Sequence, residues 1–186
     1  MFHFEELDTT TREWMLREFE AEEDGSPYRS FRLCPEGSAA FPDVMREAIR
    51  NGNDVTLAAS LCAPSLWLPG ESYIKNGIAR TRRINPAKAA EALAITEFNT
   101  WYVRGLARRL LEEGEETCEV YRADTAWSPR YECLQHEGQC YPVRTIYDGH
   151  RARYWPEPGN PSALSIPVGP NCHHTIRRVS TSSTRR

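Results

Sequence analysis

The sequence predicts an α+β protein: N-terminal helices and one long helix packed on a small, irregular β-hairpin module with zinc-knuckle-like turns. Three observations predict it. Apolar residues recur at helical spacing in several segments before Gly114, most extensively between Asn85 and Glu113. The period then changes to strict alternation over Thr117–Ala123. Beyond it, two short Cys/His turns lie far apart in a proline-rich tail, where regular helix is disfavoured.

The elements follow in order. Asp8-Thr9-Thr10-Thr11 opens a helix, with Thr10 and Glu13 spaced as a capping box and Trp14, Met15, Leu16 and Phe19 as its apolar stripe. Gly25-Ser26-Pro27 ends it, and Tyr28 to Ala40 reads as irregular. Phe41-Pro42-Asp43 starts a second helix whose buried face is Val44, Met45, Ala48 and Ile49. Asn51-Gly52-Asn53-Asp54 is a turn that caps a third helix, Val55 to Cys62, and Leu66-Trp67-Leu68 is an apolar loop expected to cover a core edge. Arg80, Arg82 and Arg83 read as a solvated basic linker, or as a contact with a nucleic-acid backbone or an acidic partner. Asn85-Pro86 opens the long helix, which Gly114 terminates because glycine accepts a left-handed cap. A strand at Thr117–Ala123, a return strand near Gly138–Val143 and a last strand within Cys172–Val179 complete the pattern. The expected division is a helical docking region over 1–84, an α+β domain over 85–179, and a disordered basic tail over 180–186.

Composition bounds the function. A chain of 186 residues with 40% hydrophobic and 26% charged residues suits a soluble globular protein. The net charge of -3 argues against a molecule that is cationic overall and grips nucleic acid everywhere. No apolar run reaches membrane-spanning length, so no membrane is expected as a partner. Met1-Phe2-His3-Phe4 leads straight into acidic residues, so no export signal is expected, and the six cysteines then read as thiols or metal ligands of a reducing compartment.

Cys133-x-x-His136 and Cys172-x-His174 carry the clearest chemistry. Two thiolates and two imidazoles are a donor set that tetrahedral zinc accepts, and each short spacing lets one turn aim both side chains at one ion. Cys133, His136, Cys172 and His174 are therefore the candidate ligands of a structural zinc, with Cys140 able to replace one of them. The competing readings are buried thiols with core histidines, or a Cys133–Cys172 disulfide. A second chemistry is a His-Asn-His type nuclease built on Asp148, His150 and Asn160 around a divalent metal. Against it, Gly149 separates the acid from the histidine, and Pro156 to Pro161 leaves poor room for the helix such a unit needs. A third is a zinc module that binds nucleic acid through Arg144, Arg151, Arg153, Arg177 and Arg178, interleaved with Tyr141, Tyr147, Tyr154 and Trp155; a thin core filled by those aromatics is the competing reading.

Thr96-Glu97 within the long helix, the break at Gly114, the strand, Cys133-x-x-His136-x-Gly138 and the closing Pro170-Asn171-Cys172-His173-His174-Thr175 come in an order that resembles the head-morphogenesis family of tailed bacteriophages, of which protein F of phage Mu is typical. The resemblance covers roughly the C-terminal half. Gly169 stands where the family usually has His, His173 and His174 replace Arg and Cys, and Ile95 replaces the arginine before Thr-Glu. The resemblance implies a structural virion protein without settled catalysis: a minor capsid or head-morphogenesis component that contacts the portal or the major capsid protein, with packaged DNA as a further candidate partner. It would assemble in the host cytoplasm and reside in the virion, with the N-terminal helices as its docking part.

Overall fold

The computed structural model describes residues 2–124, 134–169 and 172–179. Cys133 and the tail from 180 to 186 lie outside the described residues. The order of elements is α1 (Thr9–Glu23), α2 (Pro35–Asn51), α3 (Asp54–Leu61), a 3-10 turn (Pro64–Leu66), β1 (Gly70–Lys75), β2 (Ile78–Arg83), α4 (Pro86–Glu112), β3 (Thr117–Arg122), β4 (Cys140–Pro142), α5 (Val143–Asp148) and β5 (His174–Arg178). The fold class is α+β.

Helix α4 is the axis. Asn85 caps it by accepting from the Lys88 amide, and Gly114 beyond its end has φ 80°, as the sequence predicts. Phe98, Trp101, Tyr102, Leu106 and Leu110 along it are fully buried. Met15 and Phe19 of α1, Leu57 and Leu61 of α3, and Val143 and Ile146 of α5 join them in one cluster with Cys118, Val120 and Ile176 of the sheet. Burying each such side chain is worth roughly 1.5–3 kcal/mol. The cluster is continuous across residue 84, so the N-terminal helices share their core with the rest of the chain.

Helix α1 approaches α4 at Gly105. A Cβ at this position would stand 2.6 Å from both the backbone nitrogen and Cγ of Met15, so only a hydrogen lets the two backbones come this close. Phe19 meets Trp101 edge-on at 5.2 Å in the same interface.

Strand β3 is the centre of a three-stranded antiparallel sheet, with β4 on one side and β5 on the other. The register pairs Cys118 with Tyr141 and Arg122 with His174. The N-terminal residues lie along the end of β3: His3 donates to the Ala123 carbonyl at 2.9 Å, and Tyr121 Oη donates to the His3 carbonyl at 2.7 Å.

Four local expectations are corrected. Asp8, not Thr10, caps α1, accepting from the Thr11 amide at 2.9 Å. Helix α2 starts at Pro35, with the Cys34 thiol accepting from Gly37, so Pro42 lies inside it. Pro42 can donate nothing to the Ser38 carbonyl one turn back, and Arg29 Nε donates to it instead at 3.3 Å. The basic segment Arg80–Arg83 is not a linker but part of β2, paired with β1 around the turn Asn76-Gly77, whose φ values are 54° and 74°. Val143, read as the end of the return strand, opens α5 instead, which runs to Asp148. The loop at Trp67 does cover a core edge: its indole is buried and donates to the Leu61 carbonyl at 2.8 Å, at the end of α3.

Gly105→Ala is expected to push α1 off α4 and destabilise the protein by about 1–3 kcal/mol, read as a lower midpoint in urea.

Candidate metal centre and the buried ion network

Cys172 and His174 precede and open β5, and both are buried. Cys172 Sγ lies 3.9 Å from His174 Nδ1. Two ligands of one tetrahedral zinc, at usual Zn–S and Zn–N lengths, stand about 3.6 Å apart, so this pair is close to a ligand edge. The other nitrogen, Nε2, faces Glu137 Oε2 at 3.2 Å. A carboxylate behind an imidazole fixes its tautomer and leaves Nδ1 to act as donor atom to an ion. Glu137 is itself held by Arg122, 2.5 Å away. Asn99 of α4 donates to the His174 carbonyl at 2.8 Å and so ties the start of β5 to the long helix.

His136 sits on the turn that leads to β4, with Nδ1 2.7 Å from Tyr141 Oη. Burial and the neighbouring charge of His174 hold its pKa below the ordinary value. His174 is shifted the other way, by its hydrogen bond to Cys172, against burial and together with Glu137. Burial raises the Cys172 thiol, but the bond to His174 outweighs it and the thiol is lowered. The pair is thus biased toward thiolate and imidazolium, the charge distribution that a cation between them would replace.

Three of the four predicted ligands can therefore be placed. Cys172 and His174 come together, His136 lies within electrostatic reach of His174 and bonds Tyr141, and Cys133 is outside the described residues. Among the described residues no group of three or more His, Cys, Asp and Glu side chains is arranged to hold a metal. Cys140 is exposed and pairs with Glu119, three rungs of the ladder from Arg122 and His174.

The nuclease set is not assembled. Asp148 is exposed at the end of α5, 4.0 Å from Arg144. His150 is turned inward, with Nε2 3.2 Å from Glu22 and its ring tilted against Trp101 at 4.9 Å between centroids. Asn160 closes a local turn, accepting from the Ser162 amide. Each residue serves a different neighbour, and α1 rather than an open groove faces the histidine.

The basic residues of the tail are largely committed to acids. Arg177 pairs with Glu5 and Glu119, both at 2.8 Å. Arg178 is held by Glu6, Glu113 and Glu115. Arg153 donates its backbone amide to Ser165 and adds charge near His136. Tyr154 and Trp155 pack edge-on against Tyr28. Tyr141 and Tyr147 pack, half-buried, against the main core, and Arg177 and Arg178 are not presented as free phosphate contacts.

Arg151 departs most from the surface role that its sequence context suggests. It is 3% exposed and adopts φ 53°, a left-handed conformation costly for a side chain of this size. Its guanidinium makes a fork to Glu97 of α4, at 2.9 and 2.7 Å, and a third contact to Glu22 of α1 at 3.2 Å. It also lies over the rings of Trp101 and Tyr28, at 5.1 and 4.8 Å from their centroids. Glu97 is 1% exposed. Nothing local in the chain signals that Glu97 meets a cation fifty-four residues later. Glu22 is pushed up by burial, but the hydrogen bond from His150 and the charge of Arg151 outweigh this and hold it down at about 2. Burial lowers His150 to about 4, so it stays neutral inside.

Two outcomes follow from this network. Glu97→Gln removes the forked partner of Arg151, leaves it only the single contact to Glu22, and should cost about 3 kcal/mol in urea unfolding. Between pH 6.5 and about 4 the unfolded chain protonates His150 while the folded chain does not, so stability should fall as pH falls through that window. Glu22 adds a further loss between 4.5 and about 2. His150→Gln should flatten the upper part of the stability–pH curve. Comparison of the chain with protein-family models, curated proteins and solved structures finds no match.

Proposed function

We propose that this chain is a structural component of a phage or prophage head, a minor capsid or head-morphogenesis protein that acts through contacts with portal or major capsid protein. The observation that carries the reading is the approach of Cys172 to His174 with Glu137 behind the imidazole. The segment from Pro170 to Thr175 is the most specific part of the resemblance, and this packing is what a closing metal-binding knuckle needs. Zinc would be held by Cys172 and His174 together with Cys133 and His136, and it would brace the tail against the middle of the chain. Structural zinc supplies folding energy where a sheet of three short strands buries little. The inward orientation of His150 and the separate partners of Asp148 and Asn160 favour this reading over the metal-dependent nuclease. The acid partners of Arg177 and Arg178 favour it over a tail that grips nucleic acid. Among the described residues no helix is long and apolar enough to cross a membrane.

Metal analysis of the purified chain should find near-stoichiometric zinc, lost when Cys133→Ser and Cys172→Ser are combined. In its native setting the chain should be encoded beside portal and major capsid genes and should co-purify with one of those proteins. An unrelated gene neighbourhood, together with retention of neither protein, would count against the virion role.

A further inference from the structure

Strands β1 and β2 form a two-stranded ribbon whose ladder runs from Gly70↔Arg83 to Lys75↔Ile78. Its base is fastened to the body: Glu71 takes Arg32 and Arg82, each at 2.6 Å, and the Ile84 amide donates to the Pro69 carbonyl at 3.2 Å. Beyond the base the ribbon projects, and every residue of β2 is exposed. Ile74 and Ile78, beside the turn, are 77% and 58% exposed. No core explains why this ribbon is here, and an isolated hairpin is marginal without something to lie against.

Its charge distinguishes it from the rest of the molecule. Residues 70–83 carry one acid, Glu71, against Lys75, Arg80, Arg82 and Arg83, a net +3 in a chain of net -3. Among the described residues Lys75, Arg80 and Arg83 take part in no ion pair, unlike the arginines of the sheet and of α4. The register puts Lys75, Arg80 and Arg82 on one face with Tyr73, and Arg83 on the other with Ser72, Ile74, Ala79 and Thr81.

We infer that the β1–β2 ribbon is an arm that binds duplex DNA through its phosphates, seated in a groove. A two-stranded ribbon fits the major groove of B-form DNA, and six paired residues run about 20 Å along it. Cations on both faces suit a groove, which presents phosphates from two walls; a flat acidic protein surface would meet one face only. The acidic remainder of the chain keeps the body away from the backbone and makes the arm the point of contact. This site is distinct from the tail arginines and does not depend on zinc or on the head role.

The test is fluorescence anisotropy of a fluorescein-labelled, mixed-sequence DNA duplex titrated with the full chain at stepped salt. With Lys75, Arg80 and Arg83 each neutralising a phosphate, the logarithm of the affinity should fall with that of salt at a slope of about -3. The double variant Arg80→Ser, Arg83→Ser removes no core contact and should keep its circular dichroism and melting point. It should bind about tenfold or more weakly at low salt, with the slope flattened to about -1. Absence of salt-dependent binding by the parent chain would overturn the inference. So would a variant that binds as the parent does. If the variant instead loses capture of portal or capsid protein while the parent binds no DNA, the arm serves a protein partner.

Discussion

The buried guanidinium of Arg151 is the constraint on which the arrangement of the tail depends. It reaches the interior between α1 and α4 with its charge intact, so it must find carboxylates there or cost several kcal/mol. Glu97 and Glu22 supply them from two different helices. The result is a clamp: the loop after α5 is pinned to α4, α4 to α1, and His150 and Tyr28 are drawn in around the charge. The left-handed backbone at Arg151 is compatible with this role, since the pairing and the two aromatic faces over-determine a conformation that the residue would otherwise avoid. Buried ion pairs contribute little net stability against a well-packed apolar alternative, but they penalise every arrangement that leaves one partner alone. For a tail with few regular elements, that penalty selects a single packing.

A second tie works at the other end of the same segment. Asn99 reaches the His174 carbonyl from α4, and Glu137 reaches the imidazole from the turn before β4. Strand β5 is thus attached through its own ladder to β3 and through side chains to both the helix and the hairpin. Cys172 and His174 lie at this junction. A cation there would join points that polar contacts already bring near one another, so its binding would strengthen an existing geometry.

Charge is distributed unevenly over the fold. On the body, most arginines are matched by carboxylates, including Arg104 with Glu18, Arg109 with Asp8 and Glu113, and Arg177 with Glu119. On the projecting ribbon, cations outnumber acid. A surface whose pairs are satisfied offers little to an ionic partner, whereas the ribbon presents charge and exposed isoleucine together.

Much of the helical frame was legible in the chain. The period at Asn85–Glu113, the Asn53 and Asn85 caps and Gly114 are local signals, because a helix is built from contacts three and four residues apart. The alternation at Thr117–Arg122 is equally local. Asn76-Gly77 between two short β-rich runs is likewise a local hairpin signal. What tertiary structure decided was which polar groups go inside. Arg151 and Glu97 carry no sequence mark of burial, nor His150 of its inward turn; each is drawn in because a partner from another element arrives there, and chain-distant pairing has no local periodicity. Local patterns in the chain marked α1, α3, α4 and β3 and the types of donor in the tail. Only folding decided that His150 supports a core, that Arg177 and Arg178 answer glutamates, and that Cys172 and His174 share a carboxylate-backed corner.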